Sequence, residues 1–155
     1  MFDSFIDLEN SSRTFIIAEA GSNWKCGNYD DDIKRGKELI KIAASSGADA
    51  VKFQTYRAEE TYVSNAGSSN YLSEQGIDED IDKIFENLEM PYKMIAIFAK
   101  YAEEQKIIFM STPFSVNDAK EIDPFVSIHK IASFEINHIR LIEFLAKTKK
   151  PLIIS

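Results

Sequence analysis

Ala50-Val51-Lys52-Phe53-Gln54-Thr55-Tyr56 decides the fold. Val51 and Phe53 alternate with Lys52 and Gln54, so in an extended chain the two pairs leave opposite faces. Just upstream the period changes. Ile33, Gly36, Leu39, Ile40, Ala43, Ala44 and Gly47 fall on one face of a helix expected over 30–46. Asp30, Asp31 and Asp32 sit favourably at its N-terminus, and Gly47 suits its end. Before that helix, 14–20 is apolar almost throughout, the pattern of a parallel strand covered on both faces. A strand, a helix and a strand in that order imply a parallel pair.

The same alternation continues downstream. After an expected turn at Gly21-Ser22-Asn23-Trp24, the strands and helices recur. Pro91 opens a helix whose buried stripe is Met94, Ile97, Phe98 and Tyr101. Strands are expected over 107–110, 125–131 and 151–155, with helices over 116–122 and 140–147. Residues 57–89 form a long connection with a loop at 67–70 and a short acidic helix over 78–88. Such a connection is either an active-site cover or a solvated insertion. Residues 1–13 read as an N-terminal extension, an edge hairpin or a plug beneath the fold.

Repeated strand–helix alternation means a parallel α/β fold, either an open doubly wound sheet or a closed (β/α)8 TIM-type barrel. No Gly-x-Gly-x-x-Gly or Walker-type loop follows a strand, which argues against the open nucleotide-binding form. A barrel takes about 250 residues. Residues 14–155 are therefore expected to be the N-terminal portion of a barrel, truncated after its fifth strand.

Composition narrows the function classes. The chain has 155 residues with 18 Lys and Arg against 25 Asp and Glu, a net charge of −7. That balance gives no electrostatic support to nucleic-acid or anionic-membrane binding. No apolar run approaches membrane-spanning length, and 1–10 lacks the plan of a signal peptide. Cys26 is the single cysteine, so there is no internal disulfide, in keeping with a reducing compartment. The expectation is a soluble, cytoplasmic protein.

The chemistry gathers at strand ends. His129-Lys130-Ile131-Ala132-Ser133-Phe134-Glu135-Ile136-Asn137 carries a cation, a hydroxyl, a carboxylate and an amide within eight residues. Buried groups of that kind each need a partner. Lys52 and Gln54 are expected to face a barrel interior, where an inward lysine needs an anion. Glu19 ends the first strand on the face of Ile17, and Thr112 ends the third. Lys130 and Ser133 differ in parity, so the chain must bend if both serve one ligand. The set suits a phosphorylated or carboxylated substrate together with a hydroxyl-rich one. Each residue also has a structural reading: Glu19 as an ion-pair partner only, Thr112 as a turn residue before Pro113, Lys52 as an edge-strand surface residue. His129 and His138 share no helix and form no local zinc motif, so no metal ligands are assigned.

Four runs in register resemble the sialic acid synthase family, which includes N-acetylneuraminate, legionaminate and pseudaminate synthases. They are Ile17-Ala18-Glu19-Ala20-Gly21-Ser22-Asn23, Ala48-Asp49-Ala50-Val51-Lys52-Phe53-Gln54-Thr55, Ser111-Thr112-Pro113-Phe114 and Lys130-Ile131-Ala132-Ser133-Phe134-Glu135-Ile136. The resemblance implies condensation of phosphoenolpyruvate with an N-acylated hexosamine-type sugar to a nonulosonic acid, with release of phosphate. It implies Lys52, Thr112, Lys130 and Ser133 as phosphoenolpyruvate ligands, Gln54 and Asn137 as sugar contacts, and Glu19 and Glu135 as catalytic carboxylates. It further implies a divalent metal, Mn2+ or Mg2+, whose ligands lie outside this chain, a homodimer at full length, and an antifreeze-like C-terminal domain that this chain lacks. Trp24 departs from the histidine that many members carry after the Asn of the first run. On this reading the chain is expected to be inactive alone. Two other readings stay open: a Schiff-base aldolase using Lys52 or Lys130, and a non-catalytic half-barrel.

Overall fold

The structure is a computed structural model and describes residues 13–61, 63, 67, 74 and 80–155. Strand β1 (Ile17–Gly21) leads through a turn into helix α1 (Tyr29–Ser45) and strand β2 (Ala50–Thr55). Short helices α2 (Ala58–Thr61) and α3 (Ile81–Asn87) precede α4 (Tyr92–Glu104) and β3 (Ile108–Pro113). Then come α5 (Val116–Ile122), β4 (His129–Ile131), α6 (Ile139–Lys147) and β5 (Leu152–Ile154). β1, β2 and β3 form one parallel sheet in that order, β4 and β5 a second parallel pair, and β4 lies beside β3. The α/β character and the parallel strands expected from sequence are both present.

The alternation in β2 sorts two cores. Val51 and Phe53 turn outward to the layer under α1 and α4, where Ile40, Met94, Ile95 and Phe98 are fully buried. The Phe98 ring stacks on Phe53 with centroids 5.1 Å apart. Gly36 lets α1 approach α4, because a Cβ there would lie 2.2 Å from Phe98 Cζ. On the opposite face Ala50, Met110 and Ile128 pack with Ile17, Ile108 and Ile153. Lys52, Gln54, Thr112 and Lys130 share the parity of that second, inner face.

Asn28 caps α1, its side chain accepting from the N–H groups of Asp30 and Asp31 at 3.0 and 3.1 Å. Asp32 folds back and accepts from the N–H groups of Cys26 and Gly27 and from Lys25 Nζ. Burial works to raise the Asp32 pKa, but those donors outweigh it and hold the carboxyl below its ordinary value. Gly47 ends the helix at φ +82°, a conformation glycine adopts without Cβ strain.

Several boundaries differ from the sequence reading. The fourth strand is only His129–Ile131, because Asp123-Pro124-Phe125 forms a 3-10 turn that suits the fixed φ of proline. Gly21 belongs to β1, where a bulge between Glu19 and Gly21 shifts the register against β2. In α4, Met94 and Phe98 are joined in full burial by Ile95 and Ala102, with Ile97 and Tyr101 half-buried at the margins. The helix is covered by both α1 and the sheet, so its apolar arc is wider than one stripe. The acidic helix is observed as α3. The readings for 1–12 and most of the loop at 67–70 lie outside the described residues.

His129 is the one buried histidine, with Nε2 2.9 Å from Asp123 Oδ1; Asp123 also binds Lys150 Nζ at 2.7 Å. Its Nδ1 has no partner among the described residues. Burial depresses its pKa below the ordinary 6.5, outweighing the pull of Asp123. The native state thus prefers neutral His129, and the unfolded chain takes up its proton first as pH falls. Stability is expected to drop as pH is lowered from about 6.5 downward, with the corresponding slope in thermal melts missing from His129→Gln. An equal slope in the variant would assign the effect elsewhere.

Candidate functional site at the strand ends

The site forms where β1, β2, β3, β4 and β5 reach their C-terminal ends. Glu19 and Lys52 are register partners across β1 and β2, and Lys52 Nζ is ion-paired with Glu19 Oε2. Lys52 Nζ also donates to Thr112 Oγ1 at 3.3 Å, although Thr112 lies 60 residues away in sequence. Thr112 is 2 % exposed and Lys52 9 %. Glu19 is half-exposed, so its carboxylate is solvated on one side while neutralising a buried ammonium on the other. Gly21, just past the bulge, takes φ +52°, and a Cβ there would stand in ordinary contact with Glu19 Oε1 at 3.4 Å and Gln54 Nε2 at 4.0 Å. Glu19 and Gln54 thus both flank Gly21.

Lys130 joins from β4. Its Nζ donates to Ser155 Oγ at 2.6 Å and to its neighbour's carbonyl, Ile131 O, at 2.7 Å. Burial lowers its pKa, and the charge of Lys52 adds to that, while Glu19 pulls the other way. The two ammonium groups therefore sense each other. Both ammonium groups are also coupled to the Glu19 carboxylate, and a further anion placed near them would relieve their mutual repulsion.

The bend that parity demanded is present. After Ile131 the chain turns into a 3-10 helix, Ser133–Glu135. It does not gather all four polar groups. Ser133 and Asn137 are exposed, whereas Glu135 is 8 % exposed and hydrogen-bonded to His138 Nδ1 at 2.9 Å. The structure thus brings Glu19, Lys52 and Thr112 into one contact group, with Lys130 coupled to it through charge. Glu135 stands in a neighbouring pair.

Two features escaped the sequence reading. Ser155 has the parity of Ile153 in β5, so the rule that selected Lys52 and Lys130 also selects it. The second feature is a buried polar cluster behind Thr112. Ser115 caps α5, its Oγ accepting from the Asp118 N–H at 3.0 Å and donating to Asp118 Oδ2 at 2.7 Å. Tyr92 donates to Asp118 Oδ1 at 2.9 Å. Burial raises the Asp118 pKa despite both hydroxyls, and burial with Asp118 raises that of Tyr92. The Ser115-Asp118 cap is a local Ser-x-x-Asp pattern, but the Tyr92 contact spans 26 residues and no local pattern shows it. The cluster braces the turn that presents Thr112, helped by the Phe114 N–H bond to Thr55 O at 3.2 Å.

Among the described residues no three His, Cys, Asp or Glu side chains converge to hold a metal ion, and no helix is long and apolar enough to cross a membrane.

Comparison with known proteins gives the family. The NeuB family model matches residues 39–155. The chain is 37% identical over 142 residues to the spore coat polysaccharide biosynthesis protein SpsE of Bacillus subtilis, covering 91% of this chain and 36% of that protein. It is 34% identical over 145 residues to the N,N'-diacetyllegionaminic acid synthase of Campylobacter jejuni, covering 92% and 42%. The crystal structure of an N-acetylneuraminic acid synthetase from Leptospira borgpetersenii superposes with a TM-score of 0.70 at 29% identity, over 90% of this chain and 43% of that one. A 3-deoxy-D-arabino-heptulosonate 7-phosphate synthase from Thermotoga maritima shares the fold at 11% identity, with a TM-score of 0.57. The chain spans about two fifths of the length of these curated relatives. On the match over 39–155 and on these relatives, the chain belongs to the NeuB family, among sialic, legionaminic and pseudaminic acid synthases.

Proposed function

We propose that the strands form part of a (β/α)8 barrel that condenses phosphoenolpyruvate with an N-acylated hexosamine-type sugar, giving a nonulosonic acid and phosphate. The observation that carries this reading is the pair of lysines, Lys52 and Lys130, meeting with Thr112 and Ser155 hydroxyls at the ends of parallel strands. Such a pair matches a ligand carrying both a phosphate and a carboxylate. The names of the relatives supply the sugar-acid product, and the Leptospira neighbour was crystallised with citrate, a polycarboxylate.

The residues divide the work. Lys52, Lys130, Thr112 and Ser155 hold the anionic ends of phosphoenolpyruvate, with Ser133 closing from the 3-10 turn. The C=C π electrons of the enol form the new bond to the sugar aldehyde carbon as its C=O π bond opens, and the aldehyde oxygen takes a proton to become a hydroxyl. A water oxygen then bonds to the former enol carbon, and the C–O bond to phosphate breaks. Glu19, held beside Lys52, orients that water and accepts its proton. The lysines neutralise the departing phosphate. Glu135, Gln54 and Asn137 face the sugar. A divalent metal, Mn2+ or Mg2+, held by ligands outside this chain would polarise the sugar aldehyde as a Lewis acid. A homodimer at full length is part of the same proposal.

Phosphate release tests it, using phosphoenolpyruvate with N-acetylmannosamine and a panel of N-acyl hexosamines in Mn2+ buffer, for this chain alone and for this chain joined to the remaining portion of its Campylobacter jejuni relative. Release with at least one sugar supports the reading; silence across the panel in both proteins overturns it. The depressed pKa of Lys130 favours a second reading, an amine nucleophile forming an imine. Borohydride trapping of pyruvate on Lys130 is its signature, which the condensation does not produce.

A further inference from the structure

His138 occupies the N-cap position of α6. Ser, Thr, Asp and Asn dominate such positions because their oxygens accept from the first turn of the helix. His138 makes no capping bond. Its ring turns back instead, and Nδ1 meets Glu135 Oε2 at 2.9 Å. The backbone supports the same closure, with the His138 N–H donating to Glu135 O at 3.0 Å.

Glu135 needs such support. It rides on a single 3-10 turn and is largely buried. A carboxylate withdrawn from water is costly without donors. Phe134 and Ile136, its neighbours in the chain, have apolar side chains and offer none. Among the described residues the side-chain hydrogen bond to Glu135 comes from His138. With Oε2 engaged, Oε1 is left to accept from a ligand hydroxyl or amide.

Resting on the functional reading above, we propose that His138 is the positioning residue for Glu135. The imidazole fixes the carboxylate at the rim so that Oε1 meets a hydroxyl or the N-acyl N–H of the sugar. His138 acts through Glu135 and touches no reacting atom. A purely structural histidine would change melting temperature and nothing else.

The test is NMR on this chain with 15N-labelled histidine, titrated first with phosphoenolpyruvate and then with N-acetylmannosamine and related N-acyl hexosamines. His138→Ala and His138→Asn are run beside it, with melting temperatures. Asn places its amide nitrogen where Nδ1 stood and is itself a good cap, so it preserves both the donor and the fold. Sugar added over phosphoenolpyruvate is expected to shift the His138 ring resonances. Sugar affinity is expected to fall about 10- to 100-fold in His138→Ala, the value of a hydrogen bond to a charged group. It should recover most of that loss in His138→Asn, with phosphoenolpyruvate affinity unchanged throughout. Wild-type sugar affinity in His138→Ala, or no rescue in a folded His138→Asn, overturns the proposal. Phosphoenolpyruvate binding with no sugar binding in the wild type overturns it too, while leaving the anion site standing. Absence of phosphoenolpyruvate binding overturns the functional reading itself.

Discussion

Lys52→Met is expected to weaken phosphoenolpyruvate binding by about 30-fold or more while leaving the melting temperature unchanged or raised. Lys52 is buried on the inner face, ion-paired with Glu19 and donating to Thr112. Removing one member of a buried, hydrogen-bonded charge pair costs about 2–5 kcal/mol of binding. Stability should move the other way. Methionine fills the same space without the desolvation cost of an ammonium, and half-exposed Glu19 can turn to water. Calorimetric titration and scanning calorimetry give the two numbers. Wild-type affinity in Lys52→Met would mean that Lys130 and Ser155 hold the anion without it.

Gly36→Ala carries the largest expected loss of stability from a single added methyl. Alanine normally gains up to about 1 kcal/mol over glycine inside a helix. Here its Cβ would fall 2.2 Å from Phe98 Cζ, with Cε1 and Cε2 at 2.5 and 2.9 Å. The ring cannot step aside easily, since Phe98 is fully buried and stacked on Phe53. Overpacking of this kind costs about 1–3 kcal/mol. Phe98→Ala removes the ring and leaves a cavity, for about 3–5 kcal/mol. The double variant is expected to be more stable than the sum of the two losses, because the added methyl then enters vacated space. Strict additivity in urea melts would show that the helices separate instead of clashing.

The face that holds the core was legible from the residues alone. Val51 and Phe53 alternate with Lys52 and Gln54, and the helical stripe from Ile33 to Ala44 has a single period, so outward and inward sides followed from spacing. The ends of elements were less legible. The stretch from Phe125 to Ile128 looks like a strand, but Pro124 and the Asp123 contacts to His129 and Lys150 hold a 3-10 turn that takes in Phe125, and the strand starts only at His129. Those contacts span up to 27 residues, and no local pattern encodes them. Ser155 was legible in principle, being of inward parity at a strand end.

By itself the sequence determined which residues could reach a common rim, since strand parity and parallel connection are local consequences of side-chain size and polarity. Only the tertiary structure decided which of them meet. Register set Glu19 opposite Lys52, and the bulge then shifted Gly21 opposite Phe53. The pairing of β2 with β3 brought Thr112 to Lys52 across 60 residues. The 3-10 turn gave Glu135 to His138 and left Ser133 and Asn137 exposed. Charge pairing and hydrogen bonding act over a few ångströms, and that distance exists only once the strands are side by side.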